Sequence, residues 1–192
     1  MKLNENVQIS AQKCDLVPYE KCHVAKYHKW MENEELRRLT GSERLSLEEE
    51  YEMQRNWRED EDKLTFIVLE KADGQEEDRM IGDVNLFITN GEEAEVEVMI
   101  AEEKGRKKGV GREAASLIIS YAINNLQIRK FCVKITDDNT PSITLFEQKL
   151  GFDRISHSSA FKEYTFELPE HKIDEFQRFL EENGEISNYQ AS

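Results

Sequence analysis

AEVEVMIAEEKGRKKGVGREAASLIISYAINNL, Ala94 to Leu126, changes its period once, and that change decides the fold. Up to Ala101 the chain alternates, with Val96, Val98 and Ile100 on one face and Glu95, Glu97 and Met99 on the other, the two-residue period of a strand. After Gly111 the apolar residues run nearly all round, as in a helix buried between a sheet and other elements. Between the two, Lys104 to Arg112 holds five cations and no carboxylate. A strand, a glycine-punctuated loop and a helix in succession aim unpaired backbone N–H groups and the positive end of the helix macrodipole at one small volume. Gly109 and Gly111, either side of Val110, let the main chain approach a bulky anion, and Arg106, Lys107, Lys108 and Arg112 can neutralise several negative charges. A pyrophosphate fits this better than a lone carboxylate.

Outward from that unit, LTFIVLE (Leu64 to Glu70) and MIGDVNLFI (Met80 to Ile88) flank the polar run ADGQEED and predict a hairpin on its N-terminal side. Upstream lie a strand near Cys14 to Pro18 and a helix from about Glu20 to Glu32, with Cys22, Ala25 or Lys26, Lys29 and Trp30 at helical spacing. SLEE at Ser46 to Glu49 has the capping-box pattern and predicts a second helix through Tyr51, Met53 and Trp57. Downstream, FCVKIT is a strand, and DDNTPSITLFEQKLGF offers a cap at Asn139 or Thr140, Pro141 early in a helix and Gly151 as its stop. KEYTFELP is a late strand, EHKIDEFQRFLEENG a terminal helix, and residues 186–192 a frayed tail. The order gives a mixed α/β sheet in a single domain over residues 1–185, the size that 192 residues favour.

Composition narrows the partners. Against 26 Lys plus Arg stand 40 Asp plus Glu, and a net charge of −14 repels nucleic acid and anionic membranes at long range. No apolar run approaches the ~18 residues of a membrane span, and MKLNENVQIS lacks the apolar centre of a signal peptide, so a cytoplasmic protein is expected. Cys14, Cys22 and Cys132 show no CxxC spacing and the four histidines no HxxxH pair, so no metal is assigned. Monomer is the default expectation for the oligomeric state.

Three phosphate-site templates meet the basic loop. The P-loop fails because no GK[ST] follows. GxGxxA is met by Gly109, Gly111 and Ala114, yet the glycines do not directly follow the strand and no acid ends the next strand at the required distance. The acyl-coenzyme A loop [RQ]xxGx[GA] is met by Arg106, Gly109 and Gly111. With NTPSITLFEQKLGF following in order, residues 64–152 resemble the GNAT superfamily of N-acetyltransferases. Within it the chain is similar to a branch linked to tubulin N-termini and microtubule stability, on LVPYEKCHVAKYHKWM, ELRRLTGSERLSLEEEYEMQ, WREDEDKLTFIVLE, GDVNLFIT and EVEVMIAE.

The resemblance implies a mostly antiparallel twisted sheet, splayed at the cofactor site, and acetyl-CoA as co-substrate. It implies that the pantetheine arm pairs with Met99, Ile100 and Ala101, that backbone N–H groups from Lys108 to Arg112 take the pyrophosphate, and that Asn139 and Ser142 contact the arm beside Phe146. Asn139 and Ser142 are equally ordinary helix caps. Glu95 stands at the family's spacing for a strand-borne general base and Glu97 shares its face; both could instead be solvated, or hold the substrate ammonium without taking its proton. Phe146 replaces a tyrosine that often serves the family as general acid, and Tyr164 is a candidate substitute. An α-amine of pKa ~8 is roughly 10% neutral at pH 7, whereas a lysine near ~10.4 is neutral only about once in 2,500, so a protein N-terminus is the easier acceptor. Protein N-termini, those of tubulin or microtubules by resemblance, are therefore the expected partners, with microtubule association as a possible site of action. Two other functions stay open: acetylation of a polyamine or other small amine drawn by the acidic surface, and microtubule binding without chemistry.

Overall fold

The computed structural model describes residues 1–89 and 91–190. Among these, nine strands form one sheet: β1 Val7–Ala11, β2 Cys14–Pro18, β3 Lys63–Glu70, β4 Met80–Thr89, β5 Glu93–Ile100, β6 Lys130–Thr136, β7 Asp153–Ser158, β8 Glu163–Glu167 and β9 Gly184–Asn188. Their order across the sheet is β7-β8-β6-β5-β4-β3-β2-β1-β9. The helices are α1 Val24–Met31, α2 Glu34–Thr40, α3 Leu47–Glu59, α4 Glu76–Arg79, α5 Val110–Leu126, α6 Thr140–Ile143, which continues as a π-helix over Thr144–Leu150, and α7 Ile173–Asn183. Every neighbouring pair of strands is antiparallel except β5 and β6. The expected mixed, mostly antiparallel α/β sheet is therefore what the chain forms.

Register sorts the two faces. Leu64 opposite Leu86 and Phe66 opposite Val84 place apolar side chains on one face, where Val96 and Phe131 join them against Ala114, Leu117 and Ile118 of α5. On the outer side of α5 lies α7, fixed by Phe176 and Leu180 and by the Ser120 hydroxyl, which accepts from the Leu180 N–H at 3.0 Å. Residues one step along each strand point the other way: Lys63, Thr65 and Ile67 of β3, Asp83, Asn85 and Phe87 of β4, Glu95, Glu97 and Met99 of β5. That second face is covered by α1 to α3 through Tyr27, Trp30, Met31 and Trp57.

Several expectations are corrected. The α1 segment begins with a 3₁₀ turn, Lys21–His23, and buries Val24, Tyr27, Trp30 and Met31; Cys22, Ala25 and Lys29 face solvent. The apolar set was misread by one residue because Cys and Lys stems mimic the period. α2 was missed, although Asn33 caps it by accepting from the Glu35 and Leu36 N–H groups, and Gly41 ends it at φ +62°. The frayed tail expected from Ile186 is instead part of β9, paired with β1 from Val7↔Asn188 to Ala11↔Gly184, and Tyr189 beyond it is buried. Residues 191–192 of that expectation lie outside the described residues. The capping box at Ser46 and Glu49 and the Asn139 cap form as read.

β5 and β6 pair only over Glu93↔Lys130, Ala94↔Phe131 and Glu95↔Cys132, and then part. From Val96 onward β5 keeps its ladder with β4 alone. Near the end of that ladder the Met99 carbonyl turns across Gly82, where an added Cβ would stand 2.0 Å from its oxygen. A bulge between Val68 and Leu69 accompanies the turn, since Val68 pairs Gly82 and Leu69 pairs Met80. Gly82→Ala is expected to lower stability by about 1–3 kcal/mol, because a backbone oxygen cannot yield as a side chain can. The midpoint of urea denaturation reads this directly, and an unchanged midpoint would contradict it.

Candidate active site

The parting of β5 and β6 opens a cavity of about 1190 Å³ between the sheet, the start of α5, α6 and the covering helices α1 to α3. Of the residues singled out from the sequence, Glu95, Glu97, Met99, Ile100, Arg106, Lys107, Gly109, Val110, Gly111, Arg112, Asn139, Ser142 and Phe146 line it. Ala101 and Lys108 do not: Ala101 is buried at the strand end and Lys108 points to solvent.

At one end stands the entrance of α5. Gly109 takes φ +83° as its N-cap and Lys107 φ +60°, so the loop doubles back and leaves the first-turn amides of Val110, Gly111 and Arg112 without intrahelical acceptors. A Cβ at Gly111 would meet Ile100, Leu145 and Val98 only at ordinary contact distances of 3.5–3.7 Å. Packing inside the protein therefore does not demand glycine there; its bare backbone leaves a cradle that a side chain would partly fill. The buried Glu113 carboxylate accepts from the Lys13 and Cys14 N–H groups at 2.7 and 3.0 Å, tying the β1–β2 turn to α5. Lys13 in turn donates from Nζ to the Lys108 carbonyl at 3.2 Å.

The five cations of the loop are not equivalent. Lys104 pairs with Glu70. Arg106 donates from Nε to the Ile100 carbonyl at 2.9 Å and from an Nη to the Ala101 carbonyl at 2.8 Å, so its guanidinium fastens the strand end to the loop. Among the described residues, Lys107, Lys108 and Arg112 form no ion pair, and Lys149 of the π-helix adds another such cation to the cavity wall.

At the other end the floor is the polar face of the sheet. Glu95 is ion-paired with Lys134 at 2.6 Å. Glu97 is more deeply enclosed, and burial pushes its carboxyl up to about 7 against the opposing pull of Lys63. Asp83 is buried and likewise raised, to about 6, by desolvation; one carboxylate oxygen accepts from Asn85 Nδ2 at 2.7 Å and from the Tyr27 hydroxyl at 3.4 Å, while the other has no partner. Leu36, Leu39, Leu45 and Met53 supply an apolar wall above this floor.

Of the two strand carboxylates, Glu95 is ion-paired with Lys134, and Glu97 is the one whose carboxyl burial raises. Tyr164 is displaced from the site altogether: it pairs with Ile135 on the α5 face, its ring 4.6 Å from that of His157. Phe146 packs edge-on against Phe152 at 5.2 Å. Asn139 accepts from the Ser142 N–H at 3.3 Å, so it caps α6 and lines the cavity at once. Lys13, Lys63, Asp83 and Asn85 went unnoticed, although Asp83 and Asn85 break an otherwise apolar strand at the two-residue period. Cys22, His23 and Glu76 also converge, which no spacing suggested, but both ring nitrogens of His23 are engaged, Nδ1 by the Glu20 N–H at 3.0 Å and Nε2 by Glu76 at 3.1 Å.

The pattern of the Acetyltransferase (GNAT) domain family matches residues 14–153. The chain is 67% identical to the N-acetyltransferase 9-like protein of Caenorhabditis briggsae, over 97% of this chain and 98% of that one. It is 46% identical to the alpha/beta-tubulin-N-acetyltransferase 9 of Homo sapiens, over 97% and 94% of the two chains. Among solved structures, spermidine N-acetyltransferase from Vibrio cholerae in complex with CoA and spermine superposes with a TM-score of 0.70 at 18% identity, covering 88% of this chain and 99% of that one.

Arg106→Gln removes both charge-assisted bonds to the strand end. Amide hydrogen exchange from Glu102 to Lys108 is expected to quicken roughly tenfold, the effect of about 1.4 kcal/mol of local stability, with little change in global unfolding. Unchanged exchange in that segment would show that the guanidinium does not hold the loop.

Proposed function

The chain belongs to the GNAT acetyltransferase family, and from that premise we propose that it transfers acetyl from acetyl-CoA to the α-amine of protein N-termini, those of α- and β-tubulin first, by direct attack of the amine on the thioester. The observation that carries the reading is one cavity with a cationic helix entrance at one end and, at the other, a half-buried carboxylate whose carboxyl is raised to about 7. The relatives' names supply tubulin as acceptor, and the action would then lie at microtubules in the cytoplasm and promote their stability.

The residues fit the co-substrate. Amides of Val110, Gly111 and Arg112, with Lys107, Arg112 and Lys149, suit a diphosphate, and the edge of β5 at Met99 and Ile100, released from β6, offers main-chain groups to an amide-bearing arm. When bound, acetyl-CoA supplies the activated acyl carbonyl. Glu97 takes the proton of the incoming ammonium, and Asp83 and Asn85 add polar groups beside it. A thiol of pKa ~8.5 leaves without an acid's help, so Phe146 removes no obligatory donor. A polyamine acceptor has in its favour the acidic floor and the Glu35, Glu43 and Glu163 carboxylates that also line the cavity, while the apolar wall of Leu36, Leu39, Leu45 and Met53 suits the side chains of a peptide.

The test is incubation with acetyl-CoA and peptides of the tubulin N-termini, with spermidine in parallel, read by mass spectrometry. Acetylated peptide with little acetylated spermidine is expected; the reverse would establish the small-amine reading, and no product would refute both. Glu97→Gln should lower kcat/KM by about 10²–10³-fold, and Glu95→Gln by about tenfold or less. Because Glu97 must be deprotonated to act, kcat/KM should fall as pH drops below about 7 and level off above it. A flat profile through that range would remove Glu97 from the base's role.

A further inference from the structure

We propose that Lys63 is the residue that keeps Glu97 ready to accept a proton: a buried ammonium, caged between two aromatic rings, that balances one of the two floor carboxylates, Asp83 and Glu97, that have no ion-pair partner among the described residues. This rests on the reading of Glu97 as base.

Lys63 opens β3, its side chain is buried, and its Nζ has no hydrogen-bond acceptor. Instead the ammonium lies 3.8 Å from the ring centroid of Trp57 on α3 and 3.5 Å from that of Phe87, its cross-strand partner on β4. Two ring faces offset part of the desolvation of a cation, but a buried lysine with no oxygen partner is still an expensive choice for packing alone. A methionine would fill the same slot at no electrostatic cost.

Charge accounting supplies the reason. The groups around Glu97 and Lys63 are Lys63 itself on β3, Asp83 and Asn85 on β4, Glu95 on β5, Lys134 on β6, Tyr27, His28 and Glu50 on the covering helices, and, beside Lys63 alone, the Met1 ammonium and Asp60 at the end of α3. Glu95 and Lys134 neutralise each other, burial pushes the Glu50 carboxyl up toward its neutral form beside His28 at 3.8 Å, and Asp60 is exposed and screened by solvent. What remains is Asp83, Glu97 and Lys63: two carboxylates, one ammonium, and one negative charge in excess. An acceptor ammonium makes the floor neutral. When its proton passes to Glu97 the floor stays neutral, because the amine and Glu97 are then both uncharged while Asp83 keeps Lys63 as counter-ion. Without Lys63 the two carboxylates have no resident cation, low polarisability favours protonating one, and Glu97 would be filled before the amine arrives. The opposed displacements of the two groups, Glu97 upward and Lys63 downward to about 8, agree with mutual burial.

The experiment is the pH dependence of kcat/KM for transfer to an N-terminal peptide in wild type, Lys63→Met and Lys63→Arg. Lys63→Met should move the acid limb up by about one pH unit or more, with activity recovering on the alkaline side, while Lys63→Arg keeps the wild-type limb. A loss in Lys63→Met that is equal at every pH would assign Lys63 to packing and overturn the proposal. If Lys63→Met does not fold, carbon NMR of the Glu97 carboxyl in wild type decides: two titration steps are expected from coupling to the ammonium, and a single step would overturn it. Should Glu97→Gln prove as active as wild type, the base assignment fails instead, a result separate from either outcome at Lys63.

Discussion

Everything in the site depends on the brevity of one parallel ladder. β5 and β6 are joined at three residue pairs and then separate, which leaves the inner edge of β5 without a strand partner over its second half. A sheet interior does not leave main-chain N–H and C=O groups unpaired without cost, so the split persists only because other elements hold its sides apart. α5 enters the gap on one side, and Arg106 fixes the far end of β5 by taking the Ile100 and Ala101 carbonyls. Gly82 permits the turn of the strand from the opposite neighbour. The same opening creates a slot for an extended, amide-rich ligand and brings the helix entrance and the carboxylate floor into one space.

The two ends of that space have opposite electrostatic tasks and are built differently for them. At the helix entrance the charge is local and exposed: lysines and an arginine around free amides, readily reached by a solvated anion. At the floor the charges are enclosed and carry one negative charge in excess, which an incoming ammonium would balance. A carboxylate poised near neutrality requires that balance, since burial alone would raise it without limit and a close cation alone would hold it down. Glu97 lies between these because desolvation and Lys63 oppose each other.

What the amino-acid order reveals and what it hides follow from this division. The alternation of Ala94 to Ala101, the buried helix after Gly111 and the caps at Ser46 and Asn139 are local signals, and each forms as read. β9 has few apolar residues and owes its conformation to β1, far along the chain, which no window of sequence contains; β1 and β7 pair with the strands that follow them, β2 and β8, but each is a short segment whose own residues carry only a weak strand signal. The loop cations could be counted but not assigned: nothing near Lys104 announces Glu70, and nothing near Arg106 announces that its guanidinium serves the main chain. Likewise Glu95 and Glu97 are equivalent by period and both half-buried, and only Lys134 beside one and the enclosure of the other make Glu95 a paired acid and Glu97 the raised one. Asp83 lay in plain view, but in a strand read for its apolar face.

The overall charge gives the basic loop its meaning. A molecule of net charge −14 sets up a field that repels a polyphosphate and attracts an ammonium, though at physiological salt either effect fades within ~8 Å. Capture of an anionic co-substrate must therefore be accomplished at contact, by cations gathered where the amides already point, which accounts for a carboxylate-free cluster at one helix entrance of so acidic a chain. The proposed acceptor has no such handicap: the surrounding carboxylates favour an ammonium, and on the proposed reading the balance at Lys63 keeps Glu97 from being filled with a proton beforehand. Opposite charges are thus delivered to opposite ends of one slot by a field that aids one and must be locally overcome for the other.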